Sequence, residues 1–173
     1  MIYPIYLVIK DNKGTITAAS HQIKIYPKEY VFYLTSEKLA TEKPSSDKDK
    51  LRGSGLFKLS SPQILSYELE NSITVQNCKW NATLYLEKSL ISIANKISIT
   101  FYNNEGNQFV KIDKKLGSSL WKEKTVKTSG TLDKAVEFKS IEIAIYGFSL
   151  RKEISLLYGG VSPSQISFDL ITL

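Results

Sequence analysis

Short segments in which apolar and polar residues alternate recur along the whole chain, and turn residues separate them about every ten residues. The segment "KSIEIAIYGFSL" is the clearest of them, because Ile141, Ile143 and Ile145 fall on one face of an extended strand. The turns "DNKG" and "NNEGN" hold the Asn, Asp and Gly residues that tight β-hairpins require. Roughly ten such strands predict an all-β fold, either an antiparallel β-barrel or an antiparallel β-sandwich.

One segment, "SPQILSYELENS", predicts a single short helix within this β-fold. Ser61 can cap the first turn and Pro62 suits the first helical position. Ile64, Leu65 and Leu69 would then share one helical face. No segment long enough for a helical layer is present, which argues against folds that alternate strands and helices.

The polar stretch "ATEKPSSDKDKLRGSG" interrupts the strands between residues 40 and 55. The residues before it hold about four strands, which is too little for a separate stable domain without disulfides. We therefore predict one β domain over residues 1–173 with a long polar loop at 36–55. Loops of this length are typically functional or disordered.

Most of the net charge of +6 comes from one basic segment. Between Lys111 and Lys127 there are six lysines against Asp113 and Glu123, which gives 6 − 2 = +4. Trp121 lies inside this segment, and a tryptophan among lysines can stack on a base or a sugar. The candidate residues for stacking or for a basic patch are Trp121, Lys122, Lys124 and Lys127. The alternative is that Trp121 caps an apolar edge and the lysines form a solvated face.

The polar loop is highly charged but almost neutral. It has Lys43, Lys48, Lys50 and Arg52 against Glu42, Asp47 and Asp49, which gives 4 − 3 = +1. Such a balance does not suit a phosphate-binding arm, and we do not expect a nucleic-acid partner.

The residues for enzyme chemistry are sparse. His21 is the only histidine and Cys78 the only cysteine, so the usual zinc sites of three or four nitrogen and sulfur ligands are excluded. The sequence contains no phosphate-binding glycine loop, nucleophile elbow or dinucleotide motif. We therefore predict a non-enzymatic protein with no catalytic residue, cofactor or metal.

The apolar runs are much shorter than the roughly 20 residues that a helix needs to cross a bilayer, so we expect no membrane span. The N-terminus lacks the features of a cleaved secretory signal, and a lone cysteine favours a reducing compartment. We therefore expect a cytoplasmic protein or one that is exported without a cleaved signal.

Several segments in chain order resemble the haemolysin-coregulated protein family, which builds the tube of type VI secretion systems. These are "YPIYLVIKDNKGTITAAS", "QIKIY", "LSSPQILSYELENS", "ISITFYNNEGNQFVKI" and "IEIAIYGFSL". The resemblance implies rings that stack into a tube, secretion-machine components as further partners, and a loop that reaches the adjacent ring. The loop residues implied in that assembly contact are Glu42, Lys43, Asp47, Lys48, Asp49, Lys50 and Arg52.

The C-terminal two-thirds also resemble a second group. "WNATLYLEKSLISIANKISITFYN" and "KSIEIAIYGFSLRKEISLLYGG" are similar to jelly-roll accessory modules that bind carbohydrate. The first function we predict is a self-assembling tube subunit of a secretion system or phage tail. A jelly-roll glycan-binding module is the alternative, and a viral structural protein is a third.

Overall fold

The computed structural model describes residues 2–10, 16–24, 28–35, 38–44, 50–52, 62–88, 93–117, 121–148, 155–159 and 163–170. Its regular elements in these ranges are strands: β1 (Ile2–Lys10), β2 (Ile16–Lys24), β3 (Glu29–Leu34), β4 (Leu39–Ala40), β5 (Lys50–Arg52), β6 (Gln63–Val75), β7 (Cys78–Glu87), β8 (Ile93–Asn103), β9 (Gln108–Lys115), β10 (Glu123–Leu132), β11 (Val136–Phe148), β12 (Ser155–Leu157) and β13 (Gln165–Leu170). Within them, no helix is long and apolar enough to span a membrane.

The strands form three antiparallel sheets. Sheet A is the predicted hairpin of β1 and β2. Sheet B has seven strands, in the order β4-β3-β13-β7-β12-β5 with β10 on the other edge of β7. Sheet C has four strands in the order β6-β11-β8-β9, so that β6 and β9 are its two edges. Sheets B and C pack face to face and do not close, which confirms the predicted sandwich and excludes the barrel alternative.

An aromatic cluster joins the two layers. Strand β7 alternates strictly, so that Trp80 and its inward neighbours are buried while the residues between them are not. The Trp80 ring meets Phe101 of sheet C edge to face, with the ring centroids 5.0 Å apart. The ring centroids of Phe168 in sheet B and Phe138 in sheet C are 4.9 Å apart. Aromatic pairs at such distances add stability beyond the area that they bury, which makes this cluster the centre of the core.

The predicted hairpin at "NNEGN" is confirmed as the connection between β8 and β9. Gly106 has a φ of +79°, a conformation that L side chains rarely adopt. The Asn103 side-chain oxygen accepts hydrogen bonds from the backbone N–H groups of Glu105 at 3.0 Å and Asn107 at 2.7 Å. The turn residues thus provide their own hydrogen-bond partners, which is why this connection could be read from the sequence.

The predicted short helix is wrong, because residues 63–75 form the long strand β6. Leu65, Tyr67 and Leu69, two residues apart, pack toward the core, while Ile64 is 53% exposed. The spacing of apolar residues therefore follows the period of a strand rather than that of a helix. Short apolar patterns are compatible with both, and pairing with β11 decided the outcome.

Sheet B holds two strands end to end along one edge of β7. β13 pairs with residues 78–83 of β7 and β12 pairs with residues 85–87. Ser164 lies between the ends of β12 and β13. Its hydroxyl accepts a hydrogen bond from the Tyr85 backbone N–H at 3.0 Å and donates one to the Leu157 carbonyl at 2.6 Å. The Ser164 carbonyl accepts from the Leu34 N–H at 2.9 Å, so β3 is held at the same point. A buried serine thus keeps the sheet continuous where two short strands meet.

The predicted loop at 36–55 contains two short strands. β4 pairs with β3, and β5 pairs with β12. Residues 36–37, 45–49 and 53–55 of that range lie outside the described residues.

Candidate functional site

The two edges of sheet C lie on opposite open sides of the sandwich. On one side, β9 of sheet C lies beside β10, an edge of sheet B, and we call the cavity between them the basic groove. On the other side lies β6, whose unpaired edge we call the β6 edge. Among the described strands, β6 pairs only with β11.

The basic groove is an open cavity of about 400 Å³. It is lined by Lys114, Lys115, Leu116, Lys124, Thr125, Val126 and Lys127. Four of these described residues are lysines and none is acidic, so the groove has an uncompensated positive charge. Such a concentration of one charge attracts anions and raises their local concentration.

Two of the lysines are held in place by hydrogen bonds across the groove. The Lys114 ammonium donates to the carbonyl oxygen of Lys127, and the Lys124 ammonium donates to that of Leu116. Both bonds join residues of the β9 end to residues of β10. An ammonium has three donors, so each of these lysines keeps two N–H groups for other partners.

Asp113, the acid that directly precedes Lys114, is engaged elsewhere. Its carboxylate lies 3.5 Å from the Lys96 ammonium, which also sits 4.0 Å from the centre of the Tyr146 ring. The Ser98 hydroxyl and then Lys96 hold the pKa of Asp113 below its usual value. Because the carboxylate is occupied outside the groove, it leaves the charge of the groove intact.

Of the predicted stacking residues, Lys124 and Lys127 line the groove, whereas Trp121 and Lys122 do not. The Trp121 ring packs against the core, and its indole N–H is buried with no hydrogen-bond partner among the described residues. The Lys88 ammonium lies 4.9 Å from the centre of the Trp121 ring. A lysine therefore already occupies one face of the ring that a base or sugar would need.

The predicted assembly-loop residues fall in three places. Glu42 and Lys43 are exposed and follow β4, while Lys50 and Arg52 belong to β5. Asp47, Lys48 and Asp49 lie outside the described residues.

The β6 edge differs from the groove in charge and in construction. Glu68 and Glu70 are exposed on β6, and the strand contains no basic residue. Lys139 of β11 holds β6 from behind, since its ammonium donates to the carbonyls of Leu69 at 2.7 Å and Glu70 at 3.1 Å. The pairing register shifts at this point, which marks a β-bulge. Nothing in the local sequence marked Glu68, Glu70 or Lys139 as site residues.

The single cysteine is unsuited to nucleophilic chemistry. Cys78 is fully buried, and burial followed by the nearby Asp169 carboxylate raises its pKa. A raised pKa disfavours the thiolate, which is the reactive form of cysteine.

His21 lies on β2. Among the residues that the structure describes, no group of three or more His, Cys, Asp or Glu side chains could hold a metal ion.

No family model and no curated protein matches the chain. Solved structures match the chain at low identity. A CocE/NonD family hydrolase from Staphylococcus aureus is 11% identical with a TM-score of 0.44, over 96% of this chain and 41% of that one. A chain in a structure of the infectious bursal disease virus Gt strain is 11% identical with a TM-score of 0.47, over 98% of this chain and 41% of that one.

A carbohydrate-binding module of the β-sandwich superfamily is 11% identical with a TM-score of 0.28, over 99% of this chain and 73% of that one. The chain thus spans well under half the length of the hydrolase and virus chains that it resembles. At these identities and scores, the comparisons carry no argument about what this chain does. The resemblance to the haemolysin-coregulated protein family gains no support from them.

Proposed function

We propose that the chain is a non-enzymatic β-sandwich subunit that associates with copies of itself head to tail. In this arrangement the basic groove of one copy contacts the β6 edge of the next. The proposal rests on one observation, the opposite charge of the two edges of sheet C.

The charges can be counted strand by strand. β6 has Glu68 and Glu70 and no basic residue, which gives 0 − 2 = −2. β9 has three lysines against one aspartate, which gives 3 − 1 = +2. β10, on the other wall of the groove, has two lysines against one glutamate and adds 2 − 1 = +1. Complementary charge of this kind orients two partners and excludes wrong contacts.

The sign of the charges favours a head-to-tail contact over a twofold one. A twofold contact would place two β6 edges or two basic grooves against each other, and like charges in an interface repel. A contact between two different surfaces repeats from copy to copy, and it closes into a ring or continues as a filament according to the rotation between copies. The ring and tube that the sequence resemblance implies are the closed case of this geometry.

The backbone edges also differ in a way that supports the proposal. Lys114 covers an edge carbonyl of β10, which protects that strand from pairing with another chain. The long strand β6 pairs only with β11 among the described strands, and Ile64 is 53% exposed on it. An edge strand with an exposed apolar residue is a surface that another chain can cover.

The test is a pair of charge reversals measured by sedimentation velocity over a range of protein concentrations. Glu68→Lys with Glu70→Lys removes the acidic partner, and Lys115→Glu with Lys127→Glu removes the basic one. Each double variant should stay monomeric where the wild type associates. Mixing the two should restore association into pairs, because the unchanged groove of the first variant meets the unchanged β6 edge of the second.

The matched control is Lys79→Glu with Lys134→Glu, which changes the net charge by the same amount at exposed positions outside the groove. It should associate as the wild type does. A wild type that stays monomeric at high concentration and low salt would refute the proposal. So would double variants that associate normally.

A further inference from the structure

We infer that the basic groove also binds an acidic polysaccharide, whose sulfate or carboxylate groups contact the groove lysines. This goes beyond self-association, because the ligand is a different molecule and needs only one copy of the chain.

The number and position of the groove lysines suit a ligand with several anionic groups. Four ammonium groups surround a cavity of about 400 Å³, and no described lining residue is an acid. Lys115 and Lys127 are exposed and come from the two opposite walls of the groove. A chain with regularly spaced anions that lies between β9 and β10 would meet lysines on both sides.

Two of the four groove lysines are already held in position before any ligand binds. Lys114 and Lys124 are held by backbone carbonyls, so their ammonium groups lose little further freedom when an anion binds. Surface lysines without such partners must give up considerable side-chain entropy in the same contact. The groove is therefore better prepared for an anion than an ordinary cluster of surface lysines.

The lining of the groove favours an acidic polysaccharide over a nucleic acid. Proteins that bind single-stranded nucleic acids combine lysines with aromatic rings on which the bases stack. No aromatic residue is among the described lining residues, and Trp121 packs against the core beside Lys88. A sulfated or carboxylated polysaccharide has no bases to stack and can be recognised by charge and hydrogen bonds alone.

The experiment measures binding of a defined heparin octasaccharide by titration calorimetry, with single-stranded DNA and uncharged dextran as comparison ligands. We expect the wild type to bind heparin more tightly than DNA and not to bind dextran. The double variant Lys115→Glu with Lys127→Glu should bind heparin at least about tenfold more weakly. The double variant Lys79→Glu with Lys134→Glu has the same net charge but should lose much less, since its changes lie outside the groove.

Two outcomes would overturn the inference: an equal loss in both double variants, which would mean binding by net charge alone, or tighter binding of DNA than of heparin. Thermal unfolding of both variants shows that they fold. Glu68→Lys with Glu70→Lys separates this inference from the proposed assembly, because it should abolish association and leave heparin binding in place. A wild-type monomer that binds heparin through the groove would keep this inference and refute the assembly.

Discussion

The two edges of sheet C use lysine in opposite ways. At the basic groove, Lys114 reaches across to a carbonyl of β10, so the lysine covers an edge from the outside. At the β6 edge, Lys139 donates to two carbonyls of β6 from the neighbouring strand, at the point where the pairing register shifts in a β-bulge. The side with the basic groove is thus positively charged, whereas the side with the β6 edge is negatively charged. The contrast shows that edge protection depends on where the ammonium lies rather than on how many lysines a strand has.

The largest effect should come from packing a side chain behind β10. A Cβ on Gly130 would lie 2.7 Å from the indole nitrogen of Trp80, and Trp80 cannot move because it is in the core. We expect Gly130→Val to lower the free energy of unfolding by about 1–3 kcal/mol through overpacking. Urea denaturation measures this, with Ser129→Val as the exposed neighbour on the same strand. Equal losses in the two variants would show that the wall of the groove is not supported by Trp80.

On the β6 side, Lys139→Ala should cost about 1–2 kcal/mol of unfolding free energy, since it removes the charged donor of two hydrogen bonds. Amide hydrogen exchange should quicken at the bulge around Glu70 and stay unchanged at β9. Lys134→Ala, an exposed lysine in a turn, is the control and should change little. Exchange that quickens equally on both sides would contradict the separation of the two edges.

On the groove side, Lys114→Ala with Lys124→Ala should cost about 1 kcal/mol or less, because the freed carbonyls can take up water. The more informative readout is aggregation, which should increase once the edge of β10 is uncovered. Light scattering during slow heating measures it. Lys115→Ala removes one groove charge without removing either carbonyl contact, and aggregation in that variant to the same extent would mean that charge, not edge cover, protects the strand.

The smallest effect should come from Tyr67, which faces the core from β6. Its hydroxyl is buried with no hydrogen-bond partner among the described residues, so Tyr67→Phe should change stability by less than about 1 kcal/mol and in the stabilising direction. Burial and then Tyr158 raise the pKa of Tyr67 above its usual value of 10.0.

This shift makes the comparison pH-dependent. Burial keeps the Tyr67 phenol neutral in the folded state. Below pH 10 the phenol is neutral in both states and does not change the free energy of unfolding. Above pH 10 the free energy of unfolding falls, because the phenol ionises first in the unfolded chain. Denaturation at pH 8 and pH 11 should therefore show the wild type losing more stability than Tyr67→Phe. The same loss in both proteins would show that another group controls the alkaline transition.

The local parts of the fold were readable from the sequence. The alternation in β11 and the Asn and Gly residues between β8 and β9 predicted a strand and a hairpin that the structure contains. The helix prediction at residues 61–72 was wrong because the apolar pattern there suited two periods. The pairing that chose between them joins residues far apart in the chain, such as Leu65 and Ile143.

The candidate site was readable only in part. The basic segment was visible as a count of lysines, and two of its predicted residues, Lys124 and Lys127, line the groove. Lys114 and Lys115 were within the same count but were not distinguished from their neighbours. Trp121 looked available for stacking because local sequence does not show which way a residue between two sheets turns.

By itself, the sequence determined the class of fold and the position of the charges along the chain, because strand periodicity and turn chemistry are local properties. Only the tertiary structure decided which strands became edges and which edges lie beside each other. That outcome depends on pairing between distant segments, and it turned a run of lysines into one wall of a groove and two glutamates into the opposite edge of the same sheet.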